Sequence, residues 1–250
     1  MPALSWEIWL VIGLSLAFGG LVKGLTGLGL PAFAIPVMAI FIGVERSVVM
    51  LLVPSLVLNC RLAWTHRDCA KDMPELKRLI LMGLPGAAIG ASILYYASEK
   101  VLATFLAVGV LTYLTVRTLH PTFTLSPAGR RRWAPVVGFT AGSLQASTGI
   151  SAPVVVPYVD SLGLSPRSYV FAVAAIFSGF SAAHFCIVLI MQVYTLDQLV
   201  QSAAAVMPAL ACMPLGIWLR KFISPRLFGN LVRILLLTMA LKLLQGAWLA

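Results

Sequence analysis

The chain has 250 residues, of which 60% are hydrophobic and only 10% charged. That charged share is far below the roughly one-quarter of a soluble domain, and apolar runs of about 20 residues are long enough to cross a bilayer. The net charge of +10 invites a nucleic-acid reading, but the basic residues fall mostly between apolar runs, where membrane topology rather than nucleic acid places them.

In chain order the first half holds apolar segments near 6–22, 31–43, 47–64, 79–97 and 101–118. The second half holds them near 134–146, 152–163, 168–193, 198–219 and 226–249. Glu7 is the only charged side chain before Lys23, so no positive n-region of a cleavable signal is apparent and the first run reads as a retained membrane segment. Segments 31–43 and 152–163 are too short for an upright crossing and read as half-helices or arms of a hairpin.

Two stretches stand out. Residues 20–31 read GLVKGLTGLGLP and residues 142–153 read GSLQASTGISAP. Gly20 and Gly142, Thr26 and Thr148, Gly27 and Gly149, and Pro31 and Pro153 are each 122 residues apart, and Lys23 matches Gln145 at the same offset. Arg46-Ser47 matches Arg167-Ser168 at an offset of 121. This is an internal duplication. It divides the chain into a first repeat, 1–120, a basic linker, 121–132, and a second repeat, 133–250.

Charge sets the expected orientation. Linkers 61–78, 117–132 and 220–226 carry clusters of Lys and Arg, including Arg117, Arg220 and Arg226, and are expected in the cytoplasm. The turns near 98–100 and 194–197 are poor in positive charge and are expected outside, as are both termini. The loop before the fourth segment is then inside in one half and outside in the other. The fold expected is an all-α polytopic membrane protein of two inverted repeats, about five segments each, with broken or short segments after the Gly-rich motifs. Arg233 and Lys242 in the last segment strain this assignment.

Helix breaks inside apolar sequence need protein or a wet cavity to satisfy their backbone groups. Glycine permits the sharp turn and proline suits the first turn of the next helix. That helix begins with unpaired amides and the positive end of its dipole, which makes an anion site. Thr26, Gly27, Gly29, Thr148, Gly149 and Ser151 are therefore the candidate anion contacts; the alternative is that glycine and proline only pack or kink the helices. Lys23 reads as a counter-charge or as a snorkelling residue, since a charge near mid-membrane costs about 2.5–3.5 kcal/mol on insertion scales. Arg46 and Arg167 could fork onto a carboxylate or sulfonate, or anchor at the interface beside Glu45 and Asp160. Asn59, Gln145, Ser147 and His184 supply a polar lining or helix–helix glue. Cys60, His66 and Cys69 hint at a metal, but no fourth ligand lies nearby, so no metal and no cofactor is expected. No hydrolytic set is apparent, and the chain is expected not to be an enzyme.

The repeated glycine stretch, followed by proline and a short apolar segment in two halves, resembles the sulfite exporter TauE/SafE family of membrane permeases. Gly20, Gly24, Gly27, Gly29 and Pro36 carry the likeness in the first half, and Gly142, Thr148, Gly149 and Pro157 in the second. The resemblance implies a permease of a small sulfur-containing anion such as sulfite, a sulfonate or sulfoacetate. Such an anion is expected to bind between the repeats, which would rock around it. The chain departs from the glycine-rich pattern at Leu30, Ser151 and Ala152. The expected setting is the bacterial inner membrane, with lipid as partner, no nucleic acid, and a homodimer allowed; an anion channel and a scaffold are the rival readings.

Overall fold

The computed structural model describes residues 5–27, 29–119, 124–192, 194–219, 221–222 and 225–248. Arg220, and the side chains of Arg117 and Arg226, lie outside the described residues. The described residues form helices α1 (Trp6–Thr26), α2 (Leu30–Ile42), α3 (Val44–Thr65), α4 (Leu76–Tyr96), α5 (Glu99–Leu119), α6 (Pro127–Thr148), α7 (Ala152–Asp160), α8 (Pro166–Met191), α9 (Leu196–Ala204), α10 (Val206–Leu219) and α11 (Pro225–Trp248). A 3₁₀ segment, Arg67–Asp72, follows α3. Among the described residues, five stretches are long and apolar enough to cross a membrane: α1, α3, α4, α8 and the run Leu196–Leu219. The all-α polytopic class expected from the sequence is therefore the observed one.

Element ends depart from the hydropathy pattern where capping chemistry overrides it. Ser126 caps α6, its hydroxyl accepting from the Gly129 amide at 3.2 Å, with Pro127 in the first turn. The helix thus starts before the arginine run rather than after it. Thr195 and Gln198 form a reciprocal capping box that starts α9, the arrangement that satisfies two orphan amides at once. The expected segment 198–219 is broken at Ala205 into α9 and α10.

The chain folds into two compact units, each drawing on both sequence repeats. One comprises 1–54, 98–114 and 195–250, and the other 55–97 and 115–194. In the first, α1 packs along α10. A Cβ at Gly20 would collide with the Ala209 carbonyl, one at Gly24 with the Met213 carbonyl, and one at Gly216 with the Leu21 carbonyl. Numbers rise together on both helices, so they run parallel with their backbones in contact, the close approach that small residues permit in membranes. α2 folds back along α1, with Phe18 and Phe33 edge-to-face at 5.6 Å.

In the second unit α4 and α6 make the same kind of contact. Cβ atoms at Gly86 and Gly90 would strike the Phe139 and Ser143 carbonyls, and those at Gly138 and Gly142 the Leu79 and Gly83 carbonyls. This pair is also parallel, and Ser143 adds a bond from its hydroxyl to the Gly86 carbonyl at 2.9 Å. The first helix of each repeat thus packs on the fourth segment of the other.

Two polar details complete the first unit. Pro54 has no amide to give the Met50 carbonyl four residues back. The buried Ser202 hydroxyl donates to that carbonyl at 3.1 Å and accepts from the Val53 amide at 3.1 Å. Lys242, whose place in an apolar segment was awkward, lines a cleft of about 660 Å³ with Glu99, Lys100 and Gln245 near the end of α11. Glu99 there accepts from the Val44 amide at 2.7 Å.

Candidate functional site

Each repeat ends its first helix in the same way. α1 ends on Gly27, at φ 77°, whose amide donates to the Lys23 carbonyl at 2.8 Å. α6 ends on Gly149, at φ 73°, whose amide donates to the Gln145 carbonyl at 2.9 Å. Left-handed φ is costly for any residue with a Cβ, which is why glycine stands at both C-caps. The next helix starts at once, with Gly29 as N-cap of α2 and Ser151 as N-cap of α7. Pro31 and Pro153 sit in the first turns. The duplication seen in the sequence is therefore repeated in the backbone of the C-cap turn, while the N-caps differ, Gly29 at φ 100° and Ser151 at φ −101°.

The N-termini of α2 and α7 differ in what they offer. In α2 the Phe33 amide donates to the Gly29 carbonyl at 3.1 Å, the regular fourth-residue bond, and the amides before it belong to the helix end. In α7 both Val154 and Val155 amides donate to the Ser151 carbonyl at 3.1 Å. One more amide is thus committed within the second turn than within the first.

The hydroxyl groups are turned toward their own helices. Thr26 donates to the Val22 carbonyl at 2.9 Å, Ser147 to Ser143 at 2.8 Å and Thr148 to Leu144 at 2.8 Å. Thr148 also accepts from the Ile150 amide at 3.3 Å. These are four-residue back-bonds that spend the hydroxyl proton. Thr26 is exposed, whereas Thr148 is 0% exposed. The Ser151 hydroxyl donates to Gln145 Oε1 at 2.7 Å, so these two residues are brought together. That bond leaves the Gln145 Nε2 hydrogens as the donors of this side chain.

Lys23 is only 2% exposed. It sits one turn before the end of α1, enclosed by protein rather than by lipid or water. Arg46 is half-buried at the start of α3. Arg167 is exposed and pairs with Asp68 at 3.1 Å, not with Asp160. Between exposed partners such a pair contributes little, and it holds the start of α8 to the 3₁₀ segment. Ser168 beside it donates to Asp72 at 2.6 Å.

The second unit also holds a buried polar cluster on α3 and α8. Ser55 and Ser181 hydroxyls lie 3.2 Å apart, and Asn59 Nδ2 donates to the Ser55 carbonyl at 2.8 Å and its hydroxyl at 3.3 Å. His184 is buried, and its Nε2 has no hydrogen-bond partner among the described residues. Ser55 and Ser181 were not singled out from the sequence. Serine on an apolar helix usually bonds its own backbone, so the pattern gave no signal that these two meet. Among the described residues no His, Cys, Asp and Glu group could hold a metal.

The fold and the paired helix breaks define a polytopic α-helical membrane protein built by duplication. A family model described as Sulfite exporter TauE/SafE matches residues 12–243. The chain belongs to that family of membrane transporters. Neither the curated proteins nor the solved structures compared with it match the chain.

Proposed function

We propose that this protein is a secondary permease for a small sulfur-containing anion such as sulfite, a sulfonate or sulfoacetate, working by alternating access in a bacterial inner membrane. The observation that carries this reading is the paired break. Each repeat stops a helix on a left-handed glycine and restarts another within three residues. Discontinuous helices of matching position in two repeats are how transporters present helix N-termini to anions. In the first unit the leading amides of α2 and the Lys23 ammonium are the groups offered to an anion, and in the second the Ala152 amide and the Gln145 carboxamide are. Arg46, Asn59, Ser147, Arg167 and His184 remain candidates for the path it follows.

Purified protein in liposomes, assayed with labelled sulfite and sulfoacetate, tests this. Saturable uptake accelerated by unlabelled anion on the opposite side is expected. Conductance that rises linearly with concentration means a channel instead, and absence of flux for the whole anion panel overturns the permease reading.

A further inference from the structure

At the shared N-terminal end of α4 and α6 lies a cleft of about 560 Å³. Lys77, Arg78 and Arg131 line it with a single carboxylate, Glu75, and Leu81 and Met82 form its apolar side. All three cations are exposed, and among the described residues none of them makes an ion pair. The neighbouring Arg130 is different in kind. Its guanidinium donates to the Leu125 and Leu162 carbonyls at 3.2 and 3.0 Å, so it serves the fold.

The parallel packing of α4 on α6 puts two helix N-termini side by side, and each end is electropositive. One turn below the cations, Leu81 and Met82 are 46% and 41% exposed, and Leu84 and Trp133 continue the exposed apolar surface. A binding place with excess positive charge above and open apolar surface below matches one amphipathic anion, a phospholipid with a charged headgroup. Basic pockets between transmembrane helices at the cytoplasmic surface take such headgroups.

We infer that this cleft binds an anionic glycerophospholipid, with Lys77, Arg78 and Arg131 on the headgroup phosphate and acyl chains along Leu81 and Met82. The site lies away from the helix breaks and does not rest on the transport reading. Lipid phosphate and free phosphate share the same chemistry for the cations, but only the lipid uses the apolar side.

The test is native mass spectrometry of the purified full chain with phosphatidylglycerol, phosphatidylcholine and inorganic phosphate. The wild type is expected to retain phosphatidylglycerol in preference to phosphatidylcholine. The variant Lys77→Gln/Arg78→Gln/Arg131→Gln is expected to lose that preference by about ten-fold or more. A second variant, Arg61→Gln/Arg67→Gln/Lys71→Gln, removes the same charge from the neighbouring linker and should keep it. Equal retention of the two lipids by the wild type, or an equal loss in both variants, overturns the site. Displacement of phosphatidylglycerol by inorganic phosphate at comparable concentration overturns the lipid as its occupant.

Discussion

Ser151 donates its hydroxyl proton to Gln145 Oε1 at 2.7 Å across the second helix break. At the equivalent places of the first break stand Gly29 and Lys23. One repeat thus fixes a neutral carboxamide with a serine, and the other has a lysine and a glycine at the matching positions. The two copies of the C-cap turn thus carry different chemistry.

The Ser151–Gln145 bond is buried, so its loss should register in stability. Ser151→Ala leaves Oε1 without this donor and is expected to cost about 1 kcal/mol. Thermal unfolding of the purified protein in detergent should show a lower Tm. Ser151→Thr, which keeps a hydroxyl, should recover part of it. An unchanged Tm in Ser151→Ala would show that Gln145 needs no partner there.

A stronger effect is expected at the proline of α3. Ser202→Ala removes the donor that serves the Met50 carbonyl and should destabilise by about 1–3 kcal/mol. Pro54→Ala restores an amide that can serve the same carbonyl. In the Pro54→Ala background the Ser202 change should therefore cost less, with a coupling of at least about 0.5 kcal/mol. Strictly additive losses in a denaturation cycle would mean that Ser202 acts by packing alone.

The glycines separate into three physical groups. Gly24→Ala and Gly86→Ala place a methyl against a facing carbonyl and should destabilise by about 1–3 kcal/mol through overpacking. Gly13→Ala and Gly109→Ala meet nothing within 4 Å and should stabilise by about 0.4–1 kcal/mol. Gly27→Ala also meets nothing within 4 Å, but its φ of 77° makes the change cost about 1–2 kcal/mol. Melting of the five variants side by side checks the ordering.

These groups also show what the sequence made legible. The breaks could be read because glycine and proline are local signals that act through the backbone at their own position. The same glycine motif concealed a division of labour: Gly27 and Gly149 make the turns, while Gly20, Gly24 and Gly142 let a neighbouring helix approach. Which helix approaches is a long-range fact. Hydropathy gives each apolar segment the same face to lipid and to protein, so the pairing of α1 with α10 and α4 with α6 left no periodic trace. Ser202 was invisible for a related reason, since its partner lies some 150 residues away. The hydroxyls of Thr26 and Thr148 were read as donors by residue type, whereas back-bonding to their own helices decides where those protons go.

Orientation is the next expectation open to test. α4 and α6 are parallel, so both begin at one end of their unit, with the basic residues 77–78 and 130–132 together. The positive-inside rule assigns that end to the cytoplasm. Single cysteines at Ala128 and Ser98, introduced after Cys60, Cys69, Cys186 and Cys212 are replaced by serine, should react with an impermeant maleimide from opposite sides. In intact cells Ser98→Cys should label and Ala128→Cys should label only after permeabilisation. Labelling of both from one side would sink the inverted arrangement of the repeats.

Lys23 offers the most direct measurement on the proposed anion site. Its 2% exposure removes the choice of a side chain stretched along lipid toward water, and a charge kept inside a membrane helix usually has a use. If the ammonium holds the anion, Lys23→Gln removes a charge-assisted bond worth about 1.5–3 kcal/mol. The Kd for the transported anion should then rise by about ten-fold or more. Lys23→Arg keeps the charge but replaces a compact ammonium with a planar fork, so it should retain only part of the affinity. Calorimetric titration of the purified protein with sulfite and with sulfoacetate, at two salt concentrations, reads both variants. A charge-dependent site also predicts that added salt weakens the wild type more than Lys23→Gln. Wild-type affinity in Lys23→Gln would assign the lysine to the architecture of α1 and leave recognition to the helix N-termini and Gln145.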